Sequence, residues 1–410
     1  MRILVVAGDI PASTSMPGSP RLFSLCRELS RSHELHLAAR CLSQERLQWF
    51  LNDHATRGVF ASTTILPNPP SSAGWWNRQR HRLHRGAHFD SQYLHPHHHR
   101  QICGAIRALV SKEQIHIIYV DGPVMAQYVE SDQTRPAFID VHDSLTLLFT
   151  RMMQAEKQWK KKCALYLQAR DVARWERSLG KRFSLVITNS PVDESVIKGL
   201  SPSAKTLTIA NGVDTEFFTS NGDNVQSNKL VFTGVLGYGP NEDAVVYFCE
   251  AILPSIRARF PEVEFWAVGS EPTEKVQSLA RIPGVHVTGK VPDVRPYLTS
   301  ARVFVCPLRS GAGVKNKILA ALAMGKPLVA TRLSLDGLDL RDNQDLLVAD
   351  DPEGFADNVI RILRNPAYGA QLGQNGQKSV REKYSWRVSA GELDDALHRL
   401  MLGHPRNHED

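Results

Sequence analysis

The 410-residue sequence has no C-x-x-C pair, and its six cysteines stand apart at positions 26, 41, 103, 163, 249 and 306. That scatter argues against a disulfide scaffold and a structural zinc site, and it suits a reducing compartment. No apolar run is long enough to span a bilayer. Met1 to Ala7 is too short for a signal-peptide core, and Asp9 interrupts it. The expected location is therefore the cytoplasm, with room for contact at a membrane surface. No G-x-G-x-x-G follows the first apolar stretch, which removes the dinucleotide fingerprint and weakens any dehydrogenase reading. A short-period repeat is also missing, which disfavours a solenoid.

What is present is a globular composition, 42% hydrophobic, on a chain too long for one ordinary core. The charge is unevenly shared. Residues 1–210 carry 27 Lys+Arg against 17 Asp+Glu, a net of +10, and residues 211–410 carry 22 against 25, a net of −3; the two sum to +7. A basic first half points to an anionic partner such as lipid headgroups or a lipid diphosphate. Nucleic acid fits less well, because no recognised binding motif accompanies the charge.

Short apolar runs alternate with helical patterns along the whole chain, which reads as α/β. Arg2 to Ala7 is a first strand, followed by the turn-rich loop Gly8 to Pro20. Seven histidines lie between 81 and 99, near Trp75 and Trp76. Without acidic or cysteine partners at ligand spacing they read as a basic surface patch, not as a metal site. Ala137 to Val141 is a strand that runs into His142 and Asp143, and ligands in open α/β sheets gather beyond the carboxyl ends of strands. That place makes His142 and Asp143 the acid/base candidates of this half; a histidine simply hydrogen-bonded in a loop is the competing reading. The run Lys160-Lys161-Lys162 sits in a helical stretch and reads by default as a solvated face.

Residues 301–331 carry the most information. Val303 to Leu308 reads as a buried strand, Ser310-Gly311-Ala312-Gly313 as a glycine loop, and a helix is expected to start near Gly313 and end at Gly325-Lys326-Pro327. A helix N-terminus with Lys315 and Lys317 beside it can receive an anion; an ordinary strand–helix–strand unit with solvated lysines fits the same pattern.

The stretch resembles the nucleotide-sugar-binding segment of GT-B glycosyltransferases of family 4, which are retaining enzymes. It is most like an exopolysaccharide-associated branch that runs G-x-G-x-K-N-K-x-L-E-A-x-A-x-G-x-P-V-V-A-T. The resemblance implies two Rossmann-like domains facing a cleft, at 1–210 and 211–380, with a C-terminal helix in 381–410 crossing back to the first domain. Asn211-Gly-Val-Asp214 looks like the family's linker. The resemblance also implies a nucleotide diphosphate sugar as substrate, an acceptor glycan or lipid-linked saccharide, and neither metal nor cofactor. Lys317 and His142 take the catalytic places. Gly18, Gly237, Ser270, Val291, Gly311, Gly313, Lys315 and Asn316 fall at donor-binding places, with Val291 beside the nucleobase and Gly311 to Gly313 at the diphosphate. Two positions depart from the family: its paired glutamates fall on Ala312 and Ala320. That departure keeps a non-catalytic glycan-binding or scaffold protein open as a rival, beside a nucleotide-sugar epimerase or hydrolase.

Overall fold

The computed structural model describes residues 1–11, 20–53, 56, 58–70, 91–129, 135–156, 158–219, 228–311 and 313–402. They form two compact units: residues 1–210 with 389–410, and residues 211–388. Each is built on one parallel sheet.

In the first unit the strands are β1 (Arg2–Ala7), β2 (Glu34–Arg40), β3 (Ser62–Leu66), β4 (Ile117–Asp121), β5 (Ala137–His142), β6 (Leu185–Thr188) and β7 (Thr206–Thr208). Their spatial order is β3-β2-β1-β4-β5-β6-β7. β1 lies between β2 and β4, with Val5 opposite both Leu37 and Tyr119. Helices cover both faces of a sheet of this kind, so its strands read as continuous apolar runs. Leu4, Val6, Val120, Ile139 and Val186 accordingly lie in one buried core.

The second unit repeats the plan with β8 (Lys229–Thr233), β9 (Glu264–Val268), β10 (Val285–Val287), β11 (Val303–Cys306), β12 (Leu328–Ala330) and β13 (Leu347–Val348). Their order is β10-β9-β8-β11-β12-β13. Both sheets therefore start at an inner strand, run outward, return and run outward the other way, which is the Rossmann-like arrangement. The helix Pro352–Arg364 shows how local chemistry sets its bounds: Pro352 occupies the first helical position and Asp351 accepts a hydrogen bond from Gly354 N at 2.8 Å. The last helix, Trp386–Leu402, carries the chain from the second unit into the first, where Ser389 Oγ donates to Ala210 O at 3.2 Å.

One helical expectation shifts. The helix expected from Gly313 begins at Asn316, because Gly313 has φ +73° and Lys315 has ψ 89°, neither of them helical. The helical stretch that holds Lys160 to Lys162 forms three helices, Leu145–Ala155, Trp159–Arg177 and Leu179–Arg182.

One charged pair is enclosed by the first unit. Arg21, 1% exposed, donates from Nε to Asp140 Oδ2 at 2.7 Å and from Nη1 to Ile209 O at 2.9 Å. Tyr119 donates to the same carboxylate oxygen at 3.2 Å. Replacing Arg21 by Met leaves Asp140 buried without its cation, and stability measured by chemical denaturation should fall by about 3–5 kcal/mol. Pairing Arg21→Met with Asp140→Leu should recover much of that loss; a single variant as stable as the parent would contradict the assignment.

Candidate functional site

In the second unit the connection after β8 leaves on one side and that after β11 on the other, so these two strands flank the point where strand order reverses. In open α/β sheets such a point, beyond the carboxyl ends of the strands, is where ligands gather. The loop after β8, residues 234–238, leads into helix Gly239–Tyr247, and the loop after β11, residues 307–315, leads into helix Asn316–Ala323. The loop after β11 meets the first turn of the helix after β8, since a Cβ built on Gly311 would lie 3.6 Å from Pro240 Cβ.

The neighbouring strand ends are stitched together by backbone. Gly234 N donates to Val268 O at 3.0 Å and Leu236 N to Ser270 O at 2.8 Å. Gly269 N donates to Thr288 Oγ1 at 3.3 Å, and that hydroxyl donates onward to Gly289 O at 2.8 Å. Gly234 and Gly269 pass so closely that a Cβ on Gly269 would overlap the Gly234 carbonyl, and Gly269 also holds φ +154°. Glycine is the residue that meets both demands.

Lys317 lies beneath this junction. Its ammonium donates to Asn241 Oδ1 at 2.5 Å and stands 4.1 Å from the centre of the Phe232 ring. Asn241 Nδ2 in turn donates to Val235 O at 2.8 Å, so one amide links the lysine to the loop after β8. Burial pulls the Lys317 ammonium down to about 8; Cys306 opposes that shift and Lys315 adds to it. Lys315 is also buried, and its ammonium donates to Gly313 O. On the rim Arg309 makes a two-pronged contact with Asp243, at 3.0 and 2.6 Å, and lies over Tyr247.

In the first unit His142 ends β5 at an irregularity in its pairing with β6 and adopts φ +63°. That turn aims the ring at the end of β4, where Nε2 lies 2.9 Å from Asp121 Oδ1. Its backbone N–H donates to Asp140 Oδ1 at 3.1 Å. Burial works against the imidazolium, but Asp140 and Asp121 outweigh it and lift the group to about 9. At neutral pH the ring is therefore a cation and a hydrogen-bond donor, not a base. Burial and the nearby Asp193 raise the Asp143 carboxyl above its usual range, while Asn189 Nδ2 donates to it at 3.3 Å.

Seven of the residues singled out from sequence, namely Gly237, Ser270, Val291, Gly311, Gly313, Lys315 and Asn316, follow the carboxyl ends of β8 to β11 together with Lys317. His142 belongs to the other unit. Gly18, Ala312 and the segment 71–90 with Trp75, Trp76 and three of the histidines lie outside the described residues. Sequence reading gave no role to Asn241, Asp121 or Arg21; each is a common polar residue whose partner is remote along the chain. Among the described residues one group could hold a metal ion, His33, Asp394 and His398, and it is already joined internally, with His33 Nε2 2.6 Å from Asp394 Oδ1.

Residues 227–365 match the family described as "Glycosyl transferases group 1". The lipopolysaccharide core biosynthesis glycosyltransferase LpsE of Rhizobium meliloti (strain 1021) is 30% identical over 155 residues, 36% of this chain and 44% of that protein. A phosphatidyl-myo-inositol mannosyltransferase of Mycobacterium leprae (strain TN) is 29% identical over 147 residues, 34% and 39% of the two chains. The chain thus spans less than half the length of these curated relatives. Among solved structures, sucrose-phosphate synthase from Thermosynechococcus elongatus superposes with a TM-score of 0.66 at 16% identity, covering 98% of this chain and 99% of that one. Anabaena HepE in complex with UDP and glucose gives 0.63 at 12% identity, covering 97% and 100%. The fold is the pair of Rossmann-like units that GT-B proteins carry.

Two outcomes are expected from this geometry. Under the nucleotide-sugar reading proposed below, Lys317→Ala and Asn241→Ala should each weaken nucleoside diphosphate binding, and the double variant should lose little more than either alone. Calorimetric titration should give a coupling of about 1–3 kcal/mol, and additive losses would place the two residues apart. The second outcome concerns pH. A pKa raised on folding stabilises fully below the unfolded value near 6.5, and that stabilisation is lost as pH rises towards 9. The lift sets an upper bound of about 3 kcal/mol, which screening of a ring 31% exposed lowers to roughly 1–2 kcal/mol. Denaturation of the first unit between pH 6.5 and 9 should show this slope, and Asp121→Asn should flatten it.

Proposed function

We propose that the chain is a glycosyltransferase that moves a sugar from a nucleotide diphosphate donor to a hydroxyl of a glycan or lipid-linked saccharide in surface polysaccharide synthesis. One observation carries this reading. The stretch that matches group 1 glycosyl transferases, 227–365, contains every strand of the second sheet and both loops at its reversal point. The relatives support it, one by its role in lipopolysaccharide core synthesis and the other by transfer of mannose to a lipid. HepE, crystallised with UDP and glucose, supports the donor class.

In this reading the donor diphosphate meets the turn at Gly311 and Gly313 and the first amides of helix Asn316–Ala323, with Lys315 and Asn316 beside it. Backbone amides near Gly237 assist, and Ser270 and Val291 border the base. Donors aimed at the leaving diphosphate act most strongly where charge develops, which lowers the barrier. Lys317 contributes a positive charge and holds the loop after β8 through Asn241. No metal or other cofactor is needed for that charge stabilisation. We assign the retaining stereochemistry of family 4 and its exopolysaccharide branch, with the donor phosphate helping to take the acceptor proton. His142, protonated at neutral pH, would donate a hydrogen bond to donor sugar or acceptor. The partners are then the nucleotide sugar, the acceptor and an anionic membrane surface on the cytoplasmic side, and not nucleic acid.

A second reading, a non-catalytic glycan-binding or scaffold protein, is favoured by Ala320. This residue is buried on helix Asn316–Ala323, one turn beyond Lys317, where a carboxylate could meet ribose hydroxyls and a methyl group cannot. A panel of nucleotide sugars screened by thermal shift, with mass spectrometry for transfer to candidate acceptors, separates the two. Under the enzyme reading Ala320→Glu should tighten donor binding about tenfold, the worth of a carboxylate hydrogen bond of about 1.5 kcal/mol or a little less. Unchanged affinity, together with no transfer by the parent protein for any donor, would favour the scaffold.

A further inference from the structure

The first unit carries an apolar surface that its own core does not use. Helix Leu145–Ala155 contains Leu145, Leu147, Leu148, Phe149, Met152 and Met153, yet none of its described side chains is buried, and Leu148 and Met152 are exposed. A helix that packs on a core hides its apolar side; this one leaves it partly wet.

The next helix, Trp159–Arg177, continues the pattern. Trp159, Cys163, Tyr166 and Leu167 recur at spacings of four, three and one, so they form one stripe, and all four are exposed. Trp159 is 71% exposed and Tyr166 56%. Lys160, Lys161 and Lys162 stand exposed beside the stripe, with the Lys160 ammonium 5.8 Å from the Trp159 ring. Residues 145–170 carry six Lys+Arg against a single acidic residue, Glu156.

We propose that the hairpin Leu145–Arg177 is the surface by which the protein lies on an anionic lipid bilayer. This gives a place to the membrane contact of the proposed function and does not depend on the donor site. The chemistry selects lipid over a protein partner. Tryptophan and tyrosine settle at the headgroup level, where a ring is half in hydrocarbon and its polar edge stays hydrated. Lysines beside them reach anionic headgroups, and an amphipathic helix with that composition lies in the interface plane. Among the described residues no helix is long and apolar enough to cross a membrane, so contact is at the surface.

The test uses the full chain and vesicles of phosphatidylglycerol mixed with phosphatidylcholine, against phosphatidylcholine alone. Cys163 is the one exposed cysteine of the six, so an environment-sensitive maleimide dye can be placed on the stripe itself. Its emission should shift to the blue with anionic vesicles at low salt, less at physiological salt, and not with neutral vesicles. Lys160→Glu with Lys161→Glu and Lys162→Glu should weaken co-sedimentation by more than tenfold. Trp159→Ala with Tyr166→Ala should weaken it by a similar factor while leaving melting temperature and nucleotide affinity unchanged. Vesicle binding that survives both sets of substitutions, or binding without a dye shift, would move the contact elsewhere on the molecule and overturn the proposal. Absence of vesicle binding at low salt would overturn both it and the membrane part of the proposed function, leaving sugar transfer to be judged separately by the donor panel.

Discussion

An ammonium group enclosed at the centre of the second unit governs the shape of the candidate site. Lys317 has lost most of its water, and its partners are the Asn241 side-chain oxygen and the face of Phe232. A buried charge tolerates such a place only where hydrogen bonds replace hydration. Asn241 meets that need and passes the constraint on, because its amide nitrogen is committed to Val235 O. The loop after β8 is thereby tied to the helix after β11, across the reversal of strand order. The glycines on both sides let backbone and ammonium come this close: a Cβ on Gly234 would lie 2.8 Å from both Lys317 Nζ and Asn241 Nδ2.

The first unit handles charge differently. Arg21, Asp140, Tyr119, Asp121 and His142 form a chain of contacts at the carboxyl ends of β4 and β5, with Arg21 brought in from the helix after β1. Here two carboxylates face two cations: Asp140 is pulled below the usual carboxylate range despite its burial, and His142 is pushed up. The consequence is chemical. A histidine between two carboxylates cannot take a proton from an acceptor at neutral pH, but it can offer one in a hydrogen bond. This suits a reaction in which proton removal falls to the donor phosphate.

The hairpin after β5 connects this network to the surface. Glu176 on helix Trp159–Arg177 is fully buried and accepts from Ser144 Oγ at 3.2 Å and from Leu145 N at 2.8 Å, at the start of helix Leu145–Ala155. The carboxylate caps the one helix from the side of the other, at the base of the hairpin. The far end, around Trp159, presents its aromatic and basic residues to solvent. A firmly fastened base and an apolar tip belong together in an element that meets something outside the chain.

Much of this was determined by sequence alone. Continuous apolar runs marked the strands, and β1 has the bounds that its residues imply. The glycines after β11 and the lysines near them were legible because helix starts and tight turns are set by residues a few positions apart. Tertiary structure decided the rest, for a common physical reason: burial and hydrogen-bond partnership depend on residues remote in the chain. Lys317 and Lys160 are the same residue type in helical stretches, yet one is partly buried against Asn241, 76 positions away in sequence, and the other stands in water. The charge of His142 draws on Asp140 in its own strand and on Asp121, which only the pairing of β4 with β5 sets beside it. The start of the helix at Asn316 likewise waited on the backbone of Gly313, which closes the turn before the helical pattern can begin.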